Sequence, residues 1–275
     1  MSAGLRGLVV VRGAGDLATG VIVRLRRSGF RVAALEIAQP TAIRRSVAFS
    51  EAVYDGEAIV EGLTARLAAS ASKAAGLAER GLVPVLVDPL ARSLPELKPM
   101  ALVDAILAKR NLGTAIAMAP IVVALGPGFE APRDVHAVLE TNRGHDLGRV
   151  FFAGSAQSDT GVPGSIGGET AARVLRAPAS GRVEALRSIG DSVSPGDPIF
   201  AVRAVRNDEA AVAVAAIGGV LRGLIRPGIE IEAGLKSADV DPRGAREHCF
   251  TISDKSRAVA GGVLEALLAL GARPD

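Results

Sequence analysis

Apolar positions along this chain fall in short, nearly unbroken runs separated by glycine turns, the way strands covered on both faces are written. Leu8–Arg12 is such a run, and it meets Gly13-Ala-Gly-Asp16 and then a helically spaced stretch that reaches Arg27 before Ser28–Gly29. Arg31–Leu35 reads as a second strand finishing at Glu36, 21 residues after Gly15. Strand, glycine loop, helix, strand and acid, in that order, predict a dinucleotide-binding unit. Leu82–Val87 before Asp88, Met100–Val103 before Asp104, and Ile121–Leu125 before Gly126-Pro-Gly128 continue the strand pattern. The Ala-rich stretch Leu63–Arg80 reads as helical. In a parallel sheet, Glu36, Asp88 and Asp104 stand at carboxyl ends, where open α/β sheets take ligands.

The pattern changes after Phe152, where Gly, Ser, Thr and Pro dominate as far as Thr170 and predict a linker. An internal repeat follows. Sliding Gly181–Gly196 by 38 positions pairs Gly181 with Gly219, Val183 with Leu221, Leu186 with Leu224, Gly190 with Gly228, Val193 with Ile231 and Gly196 with Gly234. Two short-stranded halves that cannot each bury an apolar face predict a pseudo-twofold β structure. The first half, Ala177–Ile199, resembles the barrel-sandwich hybrid of biotinyl and lipoyl domains. Those carriers hold a modified lysine at the tip between the halves; here Val202–Ala211 has Arg206 near that place and no Lys, so the resemblance implies the architecture and argues against the carrier role. Ser253–Asp254 then reads as the cap of a last helix with Val259, Val263 and Leu267 on one face. The expected fold is therefore α/β: a Rossmann-like, mostly parallel sheet (residues 1–152), a Gly/Ser-rich linker (153–175), a barrel-sandwich hybrid (176–241), and a C-terminal segment with its helix (242–275).

Composition narrows the functions. Of 275 residues 49% are hydrophobic and 22% charged, which fits a compact globular chain and excludes disorder as its overall state. The net charge is only +3, from 27 Arg and 5 Lys against 29 acids without long like-charged runs, and aromatics are 3%, so nucleic-acid binding has no support. The longest apolar stretches, Ala115–Gly126 and Ala210–Leu221, fall short of the ~20 residues of a membrane span. A single cysteine and no recognisable export leader point to the cytoplasm.

The candidate ligand site begins at the glycine loop: Gly13 permits the tight turn, and Gly15 lets a phosphate approach the backbone at a helix N-terminus. Asp16 departs from an ordinary NAD site, because an acid beside a pyrophosphate repels it. Glu36 is placed to accept ribose hydroxyls, and Arg44 and Arg45 offer guanidinium forks to a phosphate. Asp88, Asp104, Lys109 and Asn111 form a polar group expected at the ligand edge. His136, Glu140 and His145 lack the spacing of a metal signature, so no metal is expected, and Arg143 with His145 reads instead as an anion or partner contact. Cys249 follows His248 just before a predicted helix start, a setting that lowers thiol pKa, and is the candidate catalytic residue.

Five segments together resemble the YqeB family of selenium-dependent molybdenum hydroxylase system proteins: Val11–Gly20, Asp104–Thr114, Ala124–Phe129, Asp134–His145 and Cys249–Lys255. The N-terminal half is also similar to the Rossmann domain of xanthine dehydrogenase accessory factors. The resemblance implies an accessory factor that matures a molybdenum hydroxylase. It would bind molybdenum cofactor (molybdopterin) or a nucleotide such as NAD, partner the hydroxylase apoenzyme, handle sulfur or selenium through Cys249, and have homo-oligomerisation open to it. Whether it turns over a substrate is left open, as are two other functions, an NAD-dependent oxidoreductase and a non-catalytic biotinyl/lipoyl-like binding module.

Overall fold

The computed structural model describes residues 7–159, 161, 164–204 and 210–274. Arg206, at the position compared with a carrier lysine, lies outside them. The chain divides into two compact units, one of Met1–Pro40, Ala48–Thr160 and Ile252–Asp275, the other of Thr41–Val47 and Gly161–Thr251.

The first unit is organised by a nine-stranded sheet. In chain order its strands are β1 (Leu8–Arg12), β2 (Arg31–Glu36), β3 (Glu57–Val60), β4 (Leu63–Ala68), β5 (Val83–Val87), β6 (Ala101–Asp104), β7 (Ile121–Leu125), β8 (Ala137–Leu139) and β9 (Val150–Phe151). Their spatial order is β3-β4-β5-β2-β1-β6-β7-β8-β9. The strands from β4 to β8 pair in parallel, while β3 runs antiparallel to β4 at one edge and β9 antiparallel to β8 at the other. Every residue of β1, β6 and β7 is buried, as expected of apolar runs covered on both faces.

Among the described residues the sheet is accompanied by the helices α1 (Asp16–Arg27), α2 (Ala52–Asp55), α3 (Ala71–Glu79), α4 (Leu94–Leu97) and α5 (Asp254–Ala269). Leu63–Arg80, read as one helix, is strand β4 followed by α3. Leu63–Ala68 pairs with strands on both sides, and Ser70 caps the helix by accepting from Lys73 N. The last helix is started by Ser253, which accepts from Ser256 N, and buries Val259, Val263 and Leu267. It packs closely on α1, for a Cβ at Gly20 would lie 1.9 Å from Ser256 Oγ. This helix therefore completes the first unit, across more than 200 residues of chain.

The second unit contains β10 (Val174–Arg176), β11 (Gly181–Ala185), β12 (Ser192–Val193), β13 (Pro198–Arg203), β14 (Ala210–Val214), β15 (Gly219–Leu224), β16 (Glu230–Ile231) and β17 (Lys236–Asp241). They form two antiparallel sheets, β10-β17-β15-β12 and β14-β13-β11-β16. The 38-residue repeat relates them: it carries β11 onto β15, β12 onto β16 and β13 onto β17, and so exchanges one sheet for the other. The backbone of the halves is alike and the charge is not. Asp239 and Asp241 are buried and bonded to Arg173, Arg222 and Arg243, whereas their repeat equivalents are Ala201 and Arg203, the latter paired with the exposed Glu184.

The expectation of a Rossmann-like sheet followed by a biotinyl/lipoyl-like barrel is thus corrected to a mixed nine-stranded sheet and a separate antiparallel β unit. Hydrophobic runs mark where strands occur, but the antiparallel edges β3 and β9 are set by tertiary pairing. Among the described residues no helix is long and apolar enough to cross a membrane.

Gly181 and Gly219 occupy equivalent places, at φ 152° and 150°, where a Cβ would lie only 2.1 Å from Arg203 O and 2.3 Å from Asp241 O, respectively. Gly181→Ala and Gly219→Ala should each destabilise the second unit by about 2–4 kcal/mol, through backbone overlap and strain. Chemical denaturation should show the loss in both variants and little change for Gly218→Ala, whose Cβ would meet its nearest neighbours at an ordinary 3.6 Å.

Candidate ligand site at the carboxyl edge of the large sheet

The carboxyl ends of β1, β2, β5 and β6 surround a cavity of about 620 Å³ in the first unit. Its walls come from Arg12, Gly13, Gly15–Ala18, Leu35–Ile37, Asp88–Leu90 and the loop after β6, with Leu112. The glycine loop is held from several sides. Gly13 N donates to Leu35 O at 2.7 Å, and Ala14 O accepts from Thr19 Oγ1 at 3.1 Å and Ser50 N at 2.8 Å. Thr19 Oγ1 in turn accepts from Phe49 N at 2.9 Å. Gly13 has φ 101° and would bring a Cβ within 2.9 Å of Ala105 O, so its role is close backbone packing against the loop after β6. Gly15 is different: at the start of α1, it lines the cavity with open space where a Cβ would stand.

Glu36 closes the loop from β2. One carboxylate oxygen accepts from Ala14 N at 2.8 Å and the other from Ile37 N at 2.8 Å. Burial pushes its carboxyl up, against those two amides, which favour the charged form. A carboxylate has about four lone-pair directions, so acceptor capacity remains toward the cavity. Asp16 and Asp88 line the same space. Asp88 also organises its own turn, accepting from Arg92 N, Ser93 N and Ser93 Oγ at 2.9, 2.7 and 2.6 Å. The remaining wall is apolar, and Ile37, Leu90 and Leu112 are 43%, 60% and 42% exposed there.

Several expected site residues have other work. Asp104 is buried under the cavity floor, where it accepts from Ile106 N and from Thr114 Oγ1 and pairs with Arg12 at 3.5 Å. Lys109 makes an exposed ion pair with Asp159, and Asn111 folds the following turn by bonding Gly113 N, Thr114 N and Thr114 O. Arg143 pairs with Asp254 at the start of α5, and His145 is exposed outside the lining. Arg44 and Arg45 belong to the second unit, where they donate to carbonyls of His248 and Thr251 and of Leu224. Among the described residues no three His, Cys, Asp or Glu side chains gather as metal ligands. His136 Nδ1 accepts from Val122 N, and Glu140 accepts from Asn142 N and Gln157 N.

Cys249 requires the firmest correction. Its thiol is fully buried in the second unit, 3.7 Å from Leu221 O, and burial pushes its pKa up despite the charges of Arg44 and Arg222. A nucleophile needs an accessible thiolate, so the geometry is that of a packed core residue. The sequence reading missed Thr19, Ser50 and Thr114, which bind the loops, and the apolar lining. A threonine interrupting the apolar face of α1 was the available signal for the first.

Comparison with known proteins adds a relative. Over 263 residues the chain is 53% identical to the uncharacterized protein YqeB of Escherichia coli (strain K12). The chain belongs to the YqeB family. The match covers 96% of this chain and 48% of that protein, so the chain spans about half the length of its curated relative. A link to molybdenum hydroxylases is not shown by this identity. No family model matches the chain.

Among solved structures, similarity is found to an aspartoacylase family protein from Mesorhizobium loti, at 11% identity, covering 86% of this chain and 85% of that one, with a TM-score of 0.29. A succinylglutamate desuccinylase/aspartoacylase from Rhodobacter sphaeroides gives 15% identity, 86% of each chain and a TM-score of 0.27. The ectoine utilization protein EutE (DoeB) from Ruegeria pomeroyi gives 12%, 85% of this chain, 52% of that one and 0.24. The expectation of a molybdenum hydroxylase maturation factor, with its selenium chemistry, finds no support in these comparisons and is withdrawn. At such TM-scores no deacylase fold or activity passes to this chain.

Asp88 supplies a pH-dependent test. Burial raises its carboxyl, but the bonds from Ser93 and Arg92 and the Arg92 charge outweigh this and hold it below the ordinary value. A depressed carboxyl stabilises the fold above its unfolded pKa, and that contribution is lost as pH falls through the folded value. Asp88→Asn should cost about 1 kcal/mol near neutral pH, because both carboxylate oxygens accept bonds and an amide keeps only one acceptor. The gap to the native chain should close below about pH 4, as read by urea unfolding across that range.

Proposed function

We propose that the chain binds a small molecule with a nucleoside moiety in the cavity at the carboxyl edge of the large sheet. One observation carries the reading. A single cavity combines the open Gly15 at the head of a twelve-residue helix, the Glu36 carboxylate at the end of β2, and three exposed apolar side chains. Its volume, about 620 Å³, lies within the range of small-ligand sites, which are mainly apolar with a few placed polar groups. Ile37, Leu90 and Leu112 offer flat apolar surface to a base, and Glu36 keeps acceptor capacity for ribose hydroxyls. The loop is already bonded in place, so little ordering opposes binding.

Gly15→Leu should abolish binding of adenosine compounds, because its side chain projects into the open space, while the melting temperature stays close to that of the native chain. Glu36→Ala should weaken binding less than Gly15→Leu and also loosen the loop through the lost Ala14 bond. Isothermal titration calorimetry with adenosine reads both; unchanged affinity in Gly15→Leu would falsify this placement of the ligand.

A further inference from the structure

Two of the loops that wall the cavity follow strands that are not neighbours. β5 and β6 stand three places apart in the sheet, with β2 and β1 between them, a separation of about 14 Å at ordinary strand spacing. Their following loops nevertheless reach one guanidinium. Arg12, at the end of β1, donates from Nη2 both to Pro89 O at 2.9 Å and to Leu112 O at 3.5 Å. The longer contact is reinforced by Nη1, which donates to Thr114 Oγ1 two residues further on. The two loops therefore lean toward each other over the ends of β1 and β2 and form an arch. Leu90, whose peptide unit contains Pro89 O, and Leu112 both stand on this arch, exposed in the cavity lining.

The tie is anchored at both ends and dry. Thr114 Oγ1 donates onward to Asp104, which also pairs with Arg12 at 3.5 Å. Asn111 bonds Gly113 N, Thr114 N and Thr114 O, so the chain on either side of Leu112 is held. Only 3% of the Arg12 side chain is exposed, and in such surroundings water does not replace a lost partner. The backbone of the arch carries strain as well. Ala91 in the loop after β5, and Leu107 and Lys109 in the loop after β6, have φ of 54°, 60° and 62°. Residues other than glycine keep such conformations where their surroundings over-determine them. An arch released by Arg12 relaxes from them and moves Leu90 and Leu112 with it.

We infer that Arg12 is the positioning residue of this cavity: by tying the loops after β5 and β6 into one arch, it holds Leu90 and Leu112 in place against the ring of the base. The inference rests on the nucleoside reading and adds what makes the apolar wall fit. Arg12 acts on the ligand through the two leucines, and no proton or bond moves in the step.

Removing Arg12 alone leaves Asp104 a buried charge without its guanidinium, so two variants break the tie and avoid this. Arg12→Lys keeps a positive charge beside Asp104 but lacks the fork that spans several acceptors. Arg12→Met with Asp104→Leu replaces the ion pair by apolar groups. Each is made with and without Leu90→Ala, urea unfolding identifies the variants that are folded, and either tie variant suffices. Adenosine is then titrated calorimetrically into the whole chain. Leu90→Ala alone should weaken binding severalfold, and loss of the tie about tenfold, through lost preorganisation. The combined variants should bind no more weakly than the tie variants themselves, because a leucine that is no longer held has little left to lose. A purely structural role for Arg12 leaves the two losses independent, and they then multiply. Multiplying losses, or native affinity in a folded tie variant, would overturn the inference while leaving nucleoside binding intact. Absence of adenosine binding to the native chain overturns the nucleoside reading itself and the inference with it.

Discussion

A buried guanidinium at the end of the central strand joins the loops on which the candidate site depends. Arg12 leaves β1 and bonds Thr114, the carbonyls of Pro89 and Leu112, and the carboxylate of Asp104 at the end of β6. The turn after β5 and the end of β6 with its following loop are thereby fixed to one side chain. Such an ion pair is weak evidence for net stability, since desolvation offsets much of the attraction, but removing one partner leaves a charge uncompensated at a cost of roughly 3–5 kcal/mol. Arg12 therefore gives the cavity floor one geometry more than it gives the fold extra stability. The same engagement leaves the Arg12 guanidinium committed to the loops around the cavity.

Around that floor the glycine loop is rigid for reasons that are mostly not about glycine. Thr19, Ser50 and Glu36 hold Ala14 through both its carbonyl and its amide. Gly13 is required by the backbone of Ala105, and only Gly15 faces open space. Two glycines that look equivalent in the sequence thus have separate duties, one internal and one toward the cavity. α5 braces the helix of this loop from the far end of the chain, with Ser256 bonded to the carbonyls of Asp16 and Leu17.

The second unit shows how far a repeat specifies structure. Glycines at equivalent places let β11 and β15 approach the chain after β13 and β17 in the same way, so the backbone of the two halves follows from the recurrence of small and apolar residues. The side chains then diverge. One half buries Asp239 and Asp241 with three arginines, and the other presents Glu184 and Arg203 at the surface. A charged residue is tolerated in the buried half because each carboxylate has more than one donor.

By itself the sequence determined where apolar runs become strands, where glycine loops turn, that a 38-residue repeat exists, and that Val259, Val263 and Leu267 share a helix face. These follow from local periodicity and steric freedom. It did not determine the antiparallel edges of the large sheet or the break between β4 and α3, because pairing partners lie elsewhere in the chain. Nor did it separate ligand-facing acids from structural ones. Glu36, Asp88 and Asp104 all end strands, yet Glu36 and Asp88 line the cavity while Asp104 is buried against Arg12 and Thr114. Cys249 looked reactive beside His248 and a helix start, and tertiary packing enclosed it. Whether a polar group serves a ligand or the fold depends on which donors and acceptors arrive from distant segments, and only the folded chain brings those together.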